Sequence, residues 1–171
     1  MDNRASPALN LYRPAYGQED RPEGFRSRRA RVGHRLGTER VGLSQFELPP
    51  GETAYPYHWH HVDEEIVIVL AGRPTLRMPD GERELEPGEI VLFRPGPGGA
   101  HQLRNDTGEN VVFLSASNKG DIDVVCYPDT ATLGIAERTP DGSGLMEFFP
   151  ADAAVGYPFG EPPHRTPDAT T

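Results

Sequence analysis

Residues 57–72 read YHWHHVDEEIVIVLAG, which places histidines and carboxylates directly before the most apolar run of the chain. Alternate side chains of a β-strand share one face, so His58 and His60 are predicted to point the same way, with Cα atoms roughly 6 to 7 Å apart. The polar residues 61–64 predict a turn, after which Glu65 opens a second, apolar strand and can face the two imidazoles. The stretch therefore predicts a metal site built on a β-sheet.

A fourth candidate ligand lies downstream in the segment FRPGPGGAHQLRN, residues 93–105. Its Gly/Pro-rich bend predicts a turn that delivers His101 at the start of another short strand. Three imidazoles with one carboxylate suit a divalent transition metal (Fe, Mn, Co, Ni, Zn or Cu), and the order of intrinsic affinities does not select among these ions. Four protein ligands leave about two positions of a six-coordinate metal open to water, dioxygen or substrate. The predicted metal ligands are His58, His60, Glu65 and His101.

These residues resemble the two motifs of the cupin superfamily, roughly Gly-x5-His-x-His-x(3,4)-Glu-x6-Gly and Gly-x5-Pro-x-Gly-x2-His-x3-Asn. Six residues rather than five separate the first glycine of each motif from the next motif residue, and the glycines after Pro95 depart from the family spacing, but the ligand spacings hold. The short segment between the motifs is similar to the hairpin of bacterial single-domain cupins. The motif positions are Gly51, His58, His60, Glu65 and Gly72, then Gly88, Pro95, His101 and Asn105.

The resemblance covers residues 51–105 and extends loosely to about 40–150. It implies an all-β fold, a single cupin barrel (double-stranded β-helix, or jelly roll) with an N-terminal arm, and a homodimer. We expect residues 1–38 to form a partly ordered arm, residues 39–157 to form the barrel with its C-terminal strands, and residues 158–171 to form a flexible tail.

The abundance of turn-forming residues independently favours an all-β fold, because 19 glycines and 18 prolines divide the chain into short apolar pieces. One such turn, residues 79–82, is predicted to close a β-hairpin. The predicted strands are Arg40–Leu48, Thr53–His60, Glu65–Leu70, Thr75–Met78, Arg83–Leu85, Ile90–Phe93, His101–Arg104, Val111–Ser115, Asp121–Tyr127 and Leu145–Phe149.

Strand alternation also predicts what surrounds the metal. If Glu65 points inward, Val67 and Val69 do so as well, so the interior near the metal is expected to be mainly apolar. Arg77 and Gln45 are the polar side chains that the pattern places nearest to the pocket. No catalytic residue can be assigned. Strand alternation places three aromatic residues on the face opposite to the histidines, where they are predicted to form an exterior surface: Tyr55, Tyr57 and Trp59.

The chain is acidic overall, but its charge is distributed unevenly along the sequence. A net charge of −9 and a pI near 5.1 argue against general affinity for nucleic acids or anionic membranes. Residues 1–40 nevertheless carry nine arginines against five acidic residues, and RSRRAR, residues 26–31, is the densest patch. We expect this arm to cover an acidic surface of its own barrel or of a partner subunit, or to be solvated; a basic arm for nucleic acids is the weaker interpretation.

The sequence shows no apolar N-terminal run of signal-peptide length and no run of 18 apolar residues. Secretion and membrane spanning therefore lack support, and a cytoplasmic location is expected. The single cysteine, Cys126, excludes an internal disulfide framework and a Cys-rich zinc site.

Two classes of function are compatible with these residues. The first is a metalloenzyme acting on a small molecule, foremost an oxygenase or other oxidoreductase; the same ligands also support a non-redox isomerase, cyclase or lyase. The second is a non-catalytic cupin that binds a small molecule. A complete ligand set favours chemistry, although a cupin fold alone does not name a reaction.

Overall fold

The computed structural model describes residues 8–17, 22–139 and 144–156. Within them, antiparallel strands dominate and the one α-helix has five residues, so the prediction of an all-β fold is confirmed. No helix of these segments has the length and apolarity needed to cross a membrane. The elements are β1 (Arg28–Ala30), α1 (Val32–Leu36), β2 (Val41–Leu48), β3 (Trp59–His60), β4 (Glu65–Ala71), β5 (Thr75–Met78), β6 (Gly81–Glu84), β7 (Ile90–Phe93), β8 (Gln102–Arg104), β9 (Val111–Asn118), β10 (Ile122–Tyr127), β11 (Thr132–Glu137) and β12 (Met146–Pro150).

The strands form three antiparallel sheets, with strand orders β1-β2-β9-β4-β7, β12-β11-β10-β3 and β6-β5-β8. The five-stranded and three-stranded sheets supply the strand residues of one apolar core, in which the rings of Phe46 and Phe113 stack with centroids 5.0 Å apart. Val67 and Val69 are fully buried, as strand alternation predicted. The core borders the pocket described below, because Phe46 and Ala54 belong to both.

Two turns of the barrel are held by particular residues. Met78 pairs with Gly81 across the two-residue loop 79–80, and Gly81 adopts a φ of 136°, which favours glycine. The buried Asn105 fixes a second turn, because its amide donates to the carbonyls of Leu48 and Glu109. The predicted hairpin is therefore confirmed.

Three parts of the strand prediction are wrong. Residues 53–60 do not form one strand; only β3 is regular there, because Pro56 lacks the N–H that a continuous ladder needs. The structure also contains two strands that the sequence pattern does not predict, β1 and β11. β1 is rich in arginine, and in β11 Gly134 and Ala136 have low β-propensity.

The basic arm packs on its own barrel. β1 extends the five-stranded sheet by pairing with β2. Arg28 forms an ion pair with Glu47 at 2.6 Å, and Arg26 forms one with the buried Glu52 at 2.9 Å. The described part of the arm thus covers acidic groups of the same chain, which is one of the three arrangements that its charge suggested.

Candidate metal centre

One short backbone pairing brings two of the predicted ligands together. His58 and His101 form an isolated antiparallel bridge, in which each backbone N–H donates to the carbonyl of the other residue, at 3.2 and 2.9 Å. Their rings lie with centroids 4.7 Å apart. His60 follows in β3, and Glu65 opens β4 after the turn, so all four side chains converge on one space.

Each of the three imidazoles is tethered through its Nδ1 atom. The Nδ1 atoms of His58 and His101 lie 2.8 Å and 3.0 Å from the carbonyl oxygens of Pro56 and Gly99. The Nδ1 atom of His60 lies 2.6 Å from Oδ2 of Asp123. Because these acceptors hold a proton on each Nδ1, all three Nε2 atoms can offer a lone pair to the centre.

The carboxylate of Glu65 completes the set. Its Oε1 accepts a hydrogen bond of 2.6 Å from the Ser115 hydroxyl, while its Oε2 lies 3.6 Å from the Nε2 atoms of both His60 and His101. These distances are too long for hydrogen bonds. They fit donors around one ion, since bonds of about 2.1 Å hold neighbouring ligand atoms about 3 Å apart.

A buried polar atom at the centre supports the same interpretation. His101 is fully buried, and its Nε2 atom has no hydrogen-bond partner in the described chain. Leaving such an atom unsatisfied costs about 1–3 kcal/mol. Ligand atoms of His58, His60 and Glu65 also lie within 4.8 Å of one another. The donor set therefore fits a divalent transition metal.

The protonation states suit metal binding. Burial lowers the pKa of His58 to about 3, helped by the charges of His101 and His60, so this imidazole is neutral. Burial acts to raise the pKa of Glu65, but interactions with His101, His60 and Ser115 hold it well below its usual range. For His60, burial lowers the pKa, yet the flanking carboxylates outweigh it and raise the pKa to about 9. A metal would displace the proton from its Nε2 atom.

Asp123 is a functional residue that the sequence reasoning missed. It is fully buried; its Oδ2 accepts from His60 Nδ1 at 2.6 Å and its Oδ1 accepts from the backbone N–H of Val62 at 3.0 Å. The signal was present in the sequence, because Asp123 shares a strand face with the buried Val125 in β10. An acid at an inward position of an apolar strand requires a buried partner.

A second ion pair lies beside this carboxylate. The buried Asp63 accepts two hydrogen bonds from the guanidinium of Arg138, at 2.6 and 3.2 Å. Although His60, Asp63 and Asp123 also lie close enough to surround an ion, Arg138 already neutralises Asp63. We therefore assign these residues to a hydrogen-bonded network that supports His60.

The loop before His101 leaves no space for a side chain at Gly99. A Cβ atom on Gly99 would lie 1.9 Å from the carbonyl oxygen of Arg94, whereas a Cβ on Gly98 would meet nothing within 4 Å. We expect Gly99→Ala to lower the free energy of unfolding by about 1–3 kcal/mol or more, because backbone must move. Gly98→Ala should change it by less than about 1 kcal/mol. Urea denaturation tests the pair, and equal effects of the two substitutions would contradict this role of Gly99.

The centre opens into a pocket of about 290 Å³ that is more polar than predicted. The expectation of a mainly apolar interior is wrong, because arginines, carboxylates and hydroxyls surround the ligands. Arg77 points elsewhere and pairs with Asp129 at 2.6 Å, and the buried Gln45 donates to the Tyr16 hydroxyl. Besides the ligands, the pocket is lined by Arg29, Phe46, Ala54, Tyr55, Pro56, Asp63, Ser115, Ser117, Tyr127 and Arg138.

Tyr55 also lies in the pocket rather than on the predicted exterior surface. Its ring contacts those of His58 and His101 edge-on, with centroids 5.0 and 5.5 Å away. The prediction from strand alternation is wrong for Tyr55, because the chain is not a continuous strand around Pro56. The Tyr55 hydroxyl is buried without a hydrogen-bond partner in the described segments, and burial, with the charge of Glu65, raises its pKa well above 10. It is therefore a neutral donor beside the candidate metal ligands.

Two residues of the turn lie outside the centre. Glu64 is exposed, and a guanidinium nitrogen of Arg94 lies 4.0 Å from its carboxylate. His61 is exposed on the outer side, where its ring packs against Trp59. Glu65 rather than Glu64 faces the imidazoles, which fits the register chosen from the sequence.

Comparison with known proteins supports a cupin fold. Residues 44–117 match the family model described as Cupin domain. No curated protein matches this sequence. Among solved structures, a suggested sugar phosphate isomerase from Acidithiobacillus ferrooxidans is similar at 25% identity, with a TM-score of 0.75, over 87% of this chain and 95% of that chain.

Two further solved structures share the fold alone. A sugar phosphate isomerase of the cupin superfamily from Silicibacter pomeroyi has 23% identity and a TM-score of 0.74, over 86% of this chain and 95% of that one. A polyketide cyclase from Streptomyces resistomycificus has 23% identity and a TM-score of 0.54, over 65% and 78%. The predicted all-β cupin barrel is thereby confirmed, and the matched family model and the shared fold together support the cupin superfamily for this chain.

Proposed function

We propose that the protein is a metal-dependent isomerase acting on a small hydroxylated carbonyl compound, with His58, His60, Glu65 and His101 as the metal ligands. The observation that carries the proposal is the polar pocket beside a donor set in which the buried Nε2 atom of His101 has no hydrogen-bond partner among the described residues. Similarity to a suggested sugar phosphate isomerase over nearly the whole of that protein supports the reaction class.

The pocket suits an oxygen-rich substrate. Tyr55 and Ser117 line it, and the Asp63–Arg138 pair offers both an acceptor and donors. A carbonyl compound that shifts its double bond develops negative charge on oxygen, which a preorganised neutral donor stabilises. We assign that role to the Tyr55 hydroxyl, because it is buried beside the candidate ligands and has no hydrogen-bond partner in the part of the chain that the structure describes.

The metal, when bound, supplies Lewis-acid polarisation of the substrate oxygens. Glu65 contributes one negative charge to the centre and the imidazoles none, so a divalent ion keeps a net positive charge there. The phenol ring of Tyr127 stacks on His58, with centroids 5.9 Å apart, and lines another side of the pocket. The oxidoreductase class that the ligand set also suggested stays a prediction, because the same donors support both.

The test is a turnover screen with metal-reconstituted protein. Samples loaded with Fe, Mn, Co, Ni or Zn are incubated with a panel of aldoses, ketoses and their phosphates, and products are followed by NMR with and without oxygen. We expect aldose–ketose interconversion that does not need oxygen and that stops on chelation. Turnover coupled to oxygen uptake would establish the oxidoreductase instead, and metal-loaded protein without any turnover would favour a binding module.

A further inference from the structure

We propose that β12 is a docking surface for a second copy of this chain, in which the two β12 strands pair antiparallel along their free edges. The proposal does not depend on the reaction proposed above, because it concerns the far end of the four-stranded sheet and needs no substrate. It gives the expected homodimer a defined surface.

β12 has one edge to which no described residue is paired. It is the last strand of the sheet β12-β11-β10-β3, and all five of its residues are exposed. A free strand edge pairs readily with another chain unless charges, a bulge or a covering segment prevents it. β12 carries a single charged residue, Glu147, and its register with β11 is unbroken. The strand therefore lacks most of the features that protect such an edge.

Large apolar side chains are exposed on both faces of β12. Met146 and Phe148 are 62% and 56% exposed, and Phe149 on the opposite face is 43% exposed. Methionine and aromatic residues are enriched in the buried centres of protein–protein interfaces. A single copy of the chain leaves these side chains in water, whereas a second copy at the edge would remove part of their apolar surface from it.

Phe148 lies on the face of the sheet that carries a candidate metal ligand. Cross-strand partners share a face, and one row of partners consists of His60, Val125, Gly134 and Phe148. A Cβ atom on Gly134 would lie 3.0 Å from the Phe148 ring, so this ring lies directly over Gly134. Its centroid is 6.0 Å from that of Tyr127, which lines the pocket. The proposed interface therefore adjoins the pocket.

The backbone hydrogen bonds of β12 show which groups point to the free edge. The carbonyl of Leu145 accepts a hydrogen bond of 2.8 Å from the N–H of Glu137 in β11, and the N–H of Ala151 donates one of 2.7 Å to the carbonyl of Ala131. Because the paired groups of an antiparallel strand alternate, the odd-numbered residues of β12 bond to β11. Its even-numbered residues present their backbone groups to the free edge.

These groups and the single charge favour one register for two copies. With a two-fold axis at Phe148, each Phe148 N–H would donate to the carbonyl of the other Phe148, and each Met146 N–H to the carbonyl of Pro150. An axis at Phe149 would keep only half of these bonds, because Pro150 has no N–H. An axis at Glu147 would place two like charges directly opposite each other, which is destabilising. The axis at Phe148 places Glu147 opposite Phe149 instead.

A second copy is the occupant that the edge itself favours. The same strand supplies both halves of the contact, and its donors and acceptors match under a two-fold axis, as a self-complementary interface requires. The chain carries a net charge of −9, so two copies repel each other over much of their surface. An interface between them needs a strip with few charges, and β12 has one charge in five residues.

The test compares Phe148→Lys with Ile122→Lys as a matched control, using sedimentation equilibrium of the full chain to measure the dimer Kd. Ile122 lies in the same sheet and is 55% exposed, against 56% for Phe148, but its strand β10 is not at an edge. We expect the wild-type protein to dimerise and Phe148→Lys to raise the Kd at least about 100-fold, because two lysines would meet at the axis. Ile122→Lys should leave the Kd within about twofold. Far-UV circular dichroism checks that both variants are folded.

Disulfide cross-linking in a Cys126→Ala background tests the register. Phe148→Cys should form a covalent dimer on mild oxidation, because directly opposite Cα atoms lie about 5.5 Å apart. Glu147→Cys should not, since its two copies would be diagonal neighbours about 7–8 Å apart.

Three results would overturn the proposal. The first is a wild-type chain that stays monomeric at every concentration, which would leave the edge to residues 157–171 or to a different protein. The second is a Phe148→Lys variant with the wild-type Kd, which would place the dimer contact on another surface. The third is cross-linking through Glu147→Cys but not through Phe148→Cys, which would reject the assigned axis. None of these results bears on the isomerase, because each is measured without substrate.

Discussion

Glu65→Gln is expected to lower the affinity for a divalent transition metal more than about 100-fold, a larger loss than substitutions behind the ligands cause. Glu65 is buried, and its Oε2 lies 3.6 Å from the Nε2 atoms of His60 and His101. Glutamine keeps the size of the side chain but removes the only negative charge among the four proposed ligands. The loss should therefore appear as weaker metal binding in a protein that still folds.

Glu64→Gln is the matched control for this substitution. Glu64 is adjacent in sequence, carries the same charge and is exposed. Competition titration of both variants against a chromogenic chelator measures the metal affinity. If Glu64→Gln lost the metal while Glu65→Gln kept it, the assigned register of β4 would be off by one residue.

Asp123→Asn is expected to weaken metal affinity about 10- to 100-fold, the range found when the hydrogen-bond acceptor behind a ligating histidine is removed. Asp123 holds a proton on Nδ1 of His60 and so presents the Nε2 lone pair to the centre. It also adds negative charge behind that ligand. Asparagine keeps the shape of the side chain but supplies only a neutral amide.

Asp121→Asn is the control for Asp123→Asn, because Asp121 precedes the same strand and is exposed. Affinity for Mn or Co is measured for both variants by calorimetry, after far-UV circular dichroism has shown that each is folded at the working temperature. A wild-type affinity in Asp123→Asn would show that this carboxylate does not position His60.

The convergence of the four candidate ligands could be predicted because their spacing is mostly local. His58 and His60 share a face even though only β3 is a regular strand there, and Glu65 follows within one turn. His101 is predicted from the Gly/Pro-rich bend that precedes it, and the resemblance to a second motif supports that assignment. These positions depend on short segments whose geometry a few residues determine, and their role as metal ligands remains our proposal.

The residues behind and around the ligands could not be found in this way. Asp123 is 63 positions from His60 in sequence, so their contact depends on the pairing of β10 with β3. Arg29 reaches the pocket only because β1 joins the sheet beside β2. Tyr55 was misplaced because alternation does not pass through Pro56. Long-range pairing is not encoded in local patterns, whereas the break at Pro56 was a local signal that the strand prediction did not use.

Several expectations from the sequence stay predictions. The division into an arm to residue 38, a barrel to 157 and a tail is one of them, although β1 already joins the barrel's sheet. A homodimer, a cytoplasmic location and the absence of nucleic-acid binding are others.

Elemental analysis of tag-free protein, purified without added metal or chelator and compared with His58→Ala, tests the central claim most directly. His58 is buried, and its Nδ1 tether aims Nε2 at the other donors. We predict close to one equivalent of Fe, Mn, Co, Ni, Cu or Zn per chain in the wild-type protein, and its loss in the variant. Absence of metal from the wild-type protein, together with no uptake on reconstitution and unchanged folding, would contradict the metal centre.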